Sequence, residues 1–584
     1  MTKLKKKSNL FIIVVIFISY FVIPIMGIQL NYANTNVQVQ QKPIKVDSLP
    51  ISLTSQSSTN DLNSEGLSAY ISSKFDNELN EFLTNLTIFQ KENPRSIKVV
   101  VLFENSVSKE GRIEILDSVF DEYKLVNNYD IIPGTYLKIN PNQLINNENT
   151  IEGINSIKKI YKSKLYQNPY IIEDNLEISA LNSDYYSNWW LPAVGAENLP
   201  YNGSGIKVAV IDTGIANHPD LTIINNSNFV TDESPLDFDD DVGHGTHVGG
   251  IIGGDGGGSS GKYRGIAPGV LLINARAGNA SGLSDVDIVS AIEWSSKPTS
   301  SGGAGADIIS MSFGGGYPII SDLITDAISN AKNDYGVIFV SSAGNSGPEY
   351  FTGSTPASGV DVIAVGATDR YNQLAYFSSW GPTFGYIGYP DVVAPGVNII
   401  SAEAVGSIIS DEQRYKGDFF DFPGDADYIP LSGTSMSCPV VAGALAILLE
   451  AYPNITPETA RIALLERAKK LSNVNDDDIL KSGAGIINIT ASLNYLNDLN
   501  STNPDINDIG KLYPDNLPVK PYDLLHFPGD HQKFNLTVIS GKDNVYNIDV
   551  PSIQGITIIL DNYTIGFSEA GVKFLEVEIE INNN

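Results

Sequence analysis

Between residues 185 and 496, short and nearly unbroken apolar runs alternate with stretches of helical spacing. Residues 206–211 (IKVAVI) and 336–341 (GVIFVS) are such runs, and residues 284–295 and 322–333 have the helical pattern. A strand apolar on both faces needs cover on both faces. Alternation of such strands with helices implies an α/β protein: a parallel-sheet α/β/α sandwich.

The flanks read differently. Residues 97–103 (IKVVVLF) predict a strand, 111–123 a helix, and two further strands flank the turn Ile132-Pro133-Gly134. A short helix after Pro141 and a strand at 157–161 complete a split βαβ unit. We place a ferredoxin-like α+β domain at 95–168, preceded by a polar linker at 29–94 with one helical stretch near 67–89. After a linker at 497–524, residues 525–584 alternate as strands do and predict a small β-sandwich-like domain. At under about 70 residues it would lean on its neighbour for packing.

At the start of the chain, Lys3, Lys5, Lys6 and Lys7 precede an apolar run over 10–28. This is the pattern of a signal peptide, or of an uncleaved signal anchor. Either one predicts export, and a membrane is a partner only if the segment stays attached. A formal net charge of -30 argues against nucleic acid as a partner. Cys438 is the one cysteine, so no internal disulfide can form.

Three segments carry chemistry. Asp212 ends the apolar run VAVID, His244 opens GHGTHV, and Ser435 lies in SGTSMSCP ahead of a small-residue apolar helix. Acyl transfer by a serine needs a base to take its proton, and an imidazole needs a buried carboxylate to hold its tautomer. A strand's carboxyl end is where open α/β sheets place their sites. A serine at a helix N-terminus has backbone N–H groups at hand for developing negative charge. Asn345, in SAGNSG, supplies a side-chain amide suited to an oxyanion. Taken singly, Asp212 reads as a turn residue and Ser435 as a helix cap. The pair His244 and His247 lacks the glutamate of a zinc-protease motif. Residues 256–262 (GGGSSGK) match a phosphate loop only loosely, are followed by Tyr263, and predict no nucleotide binding.

The order Asp, His, Asn, Ser, with VAVIDTGI, HPD, GHGTHVGGI, GIAP, SMSFGG, SAGNSG, APG and SGTSMSCP, resembles the subtilisin-like serine protease family over 185–496. The resemblance implies a serine endopeptidase with Asp212, His244 and Ser435 as triad and Asn345 in the oxyanion hole. It implies polypeptide substrates lying between Ser312, Phe313 and Gly314 on one side and Ser342, Ala343 and Gly344 on the other. Phe313 hints at an apolar pocket beside the cleaved bond. It further implies that 95–168 is a propeptide acting as intramolecular inhibitor, cut within 162–187 in a self-processing zymogen. No cofactor is needed for the chemistry, and structural calcium is compatible with it. The metal ligands stay unassigned: Asp220 matches a calcium ligand of relatives, but its partner loop is replaced by the glycine-rich 253–261. Asp237 to Asp241 and the acidic 411–427 read as cation sites or as solvated loops. Two other readings stay open: a narrow-specificity processing protease, and an inactive cell-surface binding protein.

Overall fold

Seven parallel strands form the central sheet, in the order Val392–Pro395, Val362–Thr368, Ile338–Ser342, Ile308–Met311, Lys207–Asp212, Leu271–Arg276, Ile223–Asn228. The computed structural model describes residues 11–13, 72–86, 94–168, 170, 188–317, 322–384, 389–415, 428–474, 479–502, 505–513, 531–549 and 556–581. The α/β/α sandwich expected from the apolar runs is what forms. Helices His244–Gly253 and Thr434–Ala451 cover one face. Asp285–Ser296 and Leu323–Tyr335 cover the other. The strand Lys207–Asp212 comes first in the chain; the edge strand Ile223–Asn228 follows, Leu271–Arg276 is inserted between them, and Ile308–Met311 is then laid against the other side of Lys207–Asp212. This reversal opens a crevice at the carboxyl ends of those two strands, where Asp212 and Ser312 lie.

Thr434–Ala451 is apolar enough in length and composition to cross a bilayer, but it is the buried core helix of the sandwich. Its small residues serve close packing: Gly443 faces Ile266, where a Cβ would lie 2.7 Å from that side chain.

Residues 97–162 form a four-stranded antiparallel sheet in the order Tyr123–Asn128, Gly134–Ile139, Ile97–Phe103, Ile157–Lys162. Helix Asn77–Thr84 belongs with it: Phe75, Leu79 and Leu83 are buried in its core, and Phe75 bridges Ile160. The 29–94 stretch is therefore not linker throughout. Helix Asn77–Thr84 falls within the helical stretch expected near 67–89, and its few apolar residues share one face.

At the other end, helix Ile489–Thr502 runs past 496, and strand Gly510–Tyr513 pairs with residues 537–540. The C-terminal β unit thus begins in the stretch read as linker. It has a four-stranded sheet and a second one joining Asn544–Asp549, Thr564–Phe567 and Phe11–Ile13. Its Ile539 is buried in the core of the large sandwich, the docking that a small sheet needs. Apart from Phe11–Ile13, the leader segment lies outside the described residues, as do 171–187 of the processing window and 416–427 of the acidic stretch.

Candidate active site

Asp212 and His244 are fully buried side by side, with His244 Nδ1 2.9 Å from Asp212 Oδ1 and 3.1 Å from Oδ2. Gly243 caps the His244 helix at φ 97°, and a Cβ on Gly245 would lie 2.1 Å from the Gly214 carbonyl oxygen. The glycines flanking His244 therefore let the helix start against the strand end. Asp212 Oδ1 also accepts the Thr213 N–H at 2.7 Å, which fixes the carboxylate.

Asp240, which the sequence offered only within the acidic stretch 237–241, joins the two elements. Its fully buried carboxyl accepts from Thr213 Oγ1 (2.8 Å), Gly243 N (2.8 Å), Thr246 N (2.8 Å) and Thr246 Oγ1 (2.7 Å). It ties the residue after Asp212 to the residue before His244. Burial pushes its pKa above the ordinary range, against these hydrogen bonds.

Ser435 is the second residue of its helix, after Gly433. Pro439 lies four residues on and has no N–H, so the Ser435 carbonyl lacks its helical donor. The Ser312 hydroxyl takes that place, donating to it at 2.9 Å. The Ser435 hydroxyl donates to the Ser312 carbonyl at 3.2 Å, and His244 Nε2 has no hydrogen-bond partner among the described residues. A nucleophile–base bond that is absent in a resting site commonly forms only with substrate. Asn345 Oδ1 accepts Thr434 N and Thr434 Oγ1, both at 2.9 Å. Holding the carboxamide by its oxygen leaves donation to Nδ2, one residue from the nucleophile.

The crevice is filled by the chain itself. Gln167 exchanges both backbone bonds with Gly314 (3.1 and 3.0 Å), and Leu165–Tyr166 pairs antiparallel with Gly282–Ser284. Residues 165–167 thus lie extended between strand Gly282–Ser284 and Gly314 of the large unit. Asn168 Nδ2 donates to Asp212 Oδ1 at 3.1 Å, and the Tyr170 ring lies 6.3 Å from that of His244, its hydroxyl on Glu412 at 2.9 Å. Ser342, Ala343 and Gly344 are buried behind the crevice, with Gly344 N bonded to Thr434 Oγ1 at 3.1 Å and Tyr389 Oη on the Ala343 carbonyl. Ser312 and Gly314 meet the segment through backbone.

Phe313 is fully buried, with its ring edge-on to Tyr166 at 6.4 Å. It therefore packs on a residue two positions before Asn168, not on one beside the triad. The Tyr166 hydroxyl reaches Asp322 Oδ2 at 3.4 Å.

The acidic candidates have protein partners. Asp220 is buried, with Oδ1 on Gly258 N (2.7 Å) and Oδ2 on Tyr428 Oη (2.5 Å). Both oxygens anchor protein donors, so this residue does not fit a calcium here. The loop 237–241 wraps Arg276, whose guanidinium reaches the Asp237 and Asp239 carbonyls and the Asp237, Asp241 and Glu233 carboxylates. Arg276 is thus a protein cation held by these carboxylates. Among the described residues no group of three or more His, Cys, Asp and Glu side chains is placed to hold a metal. His247 Nε2 lies 3.0 Å from the Ile399 and Ile429 carbonyls, and burial pushes its pKa down to about 3. It is a neutral core histidine. Cys438 is buried, and burial raises its thiol to about 11, which makes it a poor nucleophile.

Residues 203–485 match the model of the subtilase family of peptidases. The serine protease AprX of Bacillus subtilis (strain 168) is 31% identical over 69% of this chain and 89% of its own length. Subtilisin Savinase of Lederbergia lenta is 35% identical over 51% of this chain and 95% of its own. Among solved structures, fervidolysin from Fervidobacterium pennivorans, a keratinolytic enzyme related to subtilisin, superposes with a TM-score of 0.53 at 26% identity. That match covers 68% of this chain and 61% of fervidolysin.

Proposed function

This chain belongs to the subtilase family of serine-type endopeptidases, and from that premise we propose that it is an exported protease made as a self-processing zymogen, cleaving polypeptides through an acyl-enzyme on Ser435. The observation that carries the reading is the buried Asp212–His244 pair directly beneath a segment bound as an added strand.

His244 Nε2 takes the Ser435 proton as Oγ attacks the scissile carbonyl. Asp212 holds the proton on Nδ1 and stabilises the imidazolium. The oxyanion of the tetrahedral intermediate receives hydrogen bonds from Asn345 Nδ2 and from backbone N–H groups opening the Ser435 helix. The imidazolium then protonates the leaving amine, and water, activated by the same imidazole, releases the acyl group. An extended substrate binds by strand addition to 282–284 and 314.

Residues 95–168 act as the chain's own inhibitor. Tyr129, Ile131 and Ile132 are buried against the helices Asp285–Ser296 and Leu323–Tyr335, which supports a domain docked on the enzyme's surface. Glu293 Oε2 accepts the Asp130 and Ile131 N–H groups at 2.8 and 3.1 Å, and Asn330 Nδ2 donates to the Ile131 carbonyl at 2.8 Å.

Expression of the chain from Gln29 onward, with and without Ser435→Ala, tests the reading. Wild type should lose mass by shedding the segment up to 162–187 and should cut unfolded casein, and the variant should do neither. A folded wild-type protein that does neither would overturn it.

A further inference from the structure

Leu165 and Tyr166 pair antiparallel with Ser284 and Leu283, and Gln167 exchanges both backbone bonds with Gly314. Backbone bonds of this kind hold almost any sequence, so selectivity falls to the side chains. Successive side chains of an extended segment point to opposite faces. Leu165 is 60% exposed, whereas Tyr166 is 5% exposed, so Tyr166 is the one that enters the large unit.

Its ring meets apolar walls. Leu283, directly opposite on the paired strand, is fully buried. Phe313 meets the ring edge-on, with centroids 6.4 Å apart. Gly315 leaves room for it: a Cβ there would lie 3.2 Å from Tyr166 Cδ1. At the hydroxyl end stands Asp322, the N-cap of helix Leu323–Tyr335. Its two carboxylate oxygens are divided between two tasks. Oδ1 accepts Ile324 N at 3.1 Å, Thr325 N at 2.9 Å and Thr325 Oγ1 at 3.0 Å. Oδ2 faces the pocket and accepts the Tyr166 hydroxyl at 3.4 Å.

A helix cap needs only one oxygen, and a serine would supply it. The second oxygen of Asp322 is surplus to the cap. A tyrosine gives that oxygen a donor while its ring covers the apolar walls. A phenylalanine of the same shape would bury the oxygen with no donor, which costs more than the bond itself contributes. A lysine would have to strip its ammonium of water alongside Leu283 and Phe313 to reach the same oxygen.

We propose that Asp322 is a specificity-determining residue of the mature protease, selecting tyrosine over phenylalanine as the substrate side chain that takes the place of Tyr166. The inference rests on the protease reading above and deepens it by naming a substrate feature. The walls alone would admit either aromatic ring, and only the carboxylate oxygen tells them apart.

Digestion of unfolded casein by the mature enzyme, with the cut bonds mapped by mass spectrometry, locates the position. Tyrosine should be enriched over phenylalanine at one fixed place upstream of the cut. Peptides that differ only in that residue then measure the preference: tyrosine should exceed phenylalanine about tenfold or more in kcat/KM, with lysine no better than phenylalanine. Asp322→Ser keeps a capping oxygen and removes the second one. It should bring the tyrosine-to-phenylalanine ratio within about twofold of unity by slowing the tyrosine peptide. The wild-type comparison stands whether or not the variant folds. A wild type that cuts the phenylalanine or lysine peptide as fast as the tyrosine one, or a folded Asp322→Ser that keeps the wild-type ratio, would overturn the inference and leave the protease reading intact. Casein left uncut by the mature protein would overturn the protease reading, and this inference with it.

Discussion

Asp240 and Asp285 are both buried carboxyls that accept several hydrogen bonds, yet they hold different kinds of contact. All of Asp240's partners, Thr213, Gly243 and Thr246, belong to the same unit and tie one end of a strand to the start of a helix. Asp285 opens a helix of the large unit but takes Ser163 Oγ at 2.7 Å and Lys164 N at 3.1 Å from the upstream chain, besides Val286 N at 2.8 Å. Glu293, on the same helix, likewise takes two N–H groups from 130–131. Where the donors come from bears on permanence: the site keeps its bonds for as long as the sandwich is folded, whereas under the zymogen proposal the upstream contact is given up whole. Accordingly, changes around the triad should alter chemistry without altering docking, and changes around Asp285 and Glu293 should do the reverse.

The sharpest test of that division is Ser435→Ala. Turnover should fall on the order of 10⁶-fold, a magnitude taken from a subtilisin, while binding of the upstream domain supplied in trans, read by calorimetry, stays within about twofold. Loss of docking would break the comparison. Asn345→Ala should lower kcat by about 10²–10³-fold, again a subtilisin magnitude, with KM nearly unchanged. A rise in KM of similar size would assign Asn345 to ground-state binding instead.

Asp285 predicts a pH dependence on the other side. Burial beneath residues 163–164 pushes its pKa up to about 7, against the hydrogen bonds from Ser163, Lys164 and Val286 and the charge of Lys164. Once uncovered, the carboxyl should return toward the ordinary value near ~3.9. The complex thus holds a proton that the separated parts release. Docking should be tightest below about pH 4, weaken by up to about tenfold per pH unit toward 7, and level off above it. Titrations of Ser435→Ala enzyme with the upstream domain at several pH values would read this, and Asp285→Asn should flatten the curve. A curve unchanged by that substitution would remove Asp285 as its source. The smallest effect is expected for Glu293→Ala, which removes the acceptor of two N–H groups near the rim. Docking should weaken by about tenfold, with casein cleavage by the mature enzyme unchanged.

Much of the fold was legible because the sheet is parallel. Strands buried on both faces must be apolar throughout, and IKVAVI and GVIFVS announce themselves without any alignment of faces. The proposed catalytic residues were legible for a related reason: each sits where a strand ends or a helix begins, in a glycine-rich segment that has little other explanation. A helical stretch near 67–89 was legible, but its packing against the 97–162 sheet was not, because only three buried residues, Phe75, Leu79 and Leu83, anchor a stretch that is otherwise polar. Strand Gly510–Tyr513 escaped because four residues beside a polar linker carry no period worth reading. Asn168 gave one signal that could have been used, an asparagine before proline within the expected processing window.

By itself the sequence determined the layered sandwich and the segments that bring Asp212, His244, Asn345 and Ser435 to the ends of its elements, because both follow from local pattern. The tertiary structure alone decided that Asp220 holds a glycine and a tyrosine, that the loop 237–241 closes around Arg276, that Phe313 faces Tyr166, and that residues 165–167 lie between strand Gly282–Ser284 and Gly314 of the larger unit. A carboxylate's partner is whichever donor folding brings within about 3 Å. For these residues the donor comes from a distant part of the chain, which no local period of apolar and polar residues encodes.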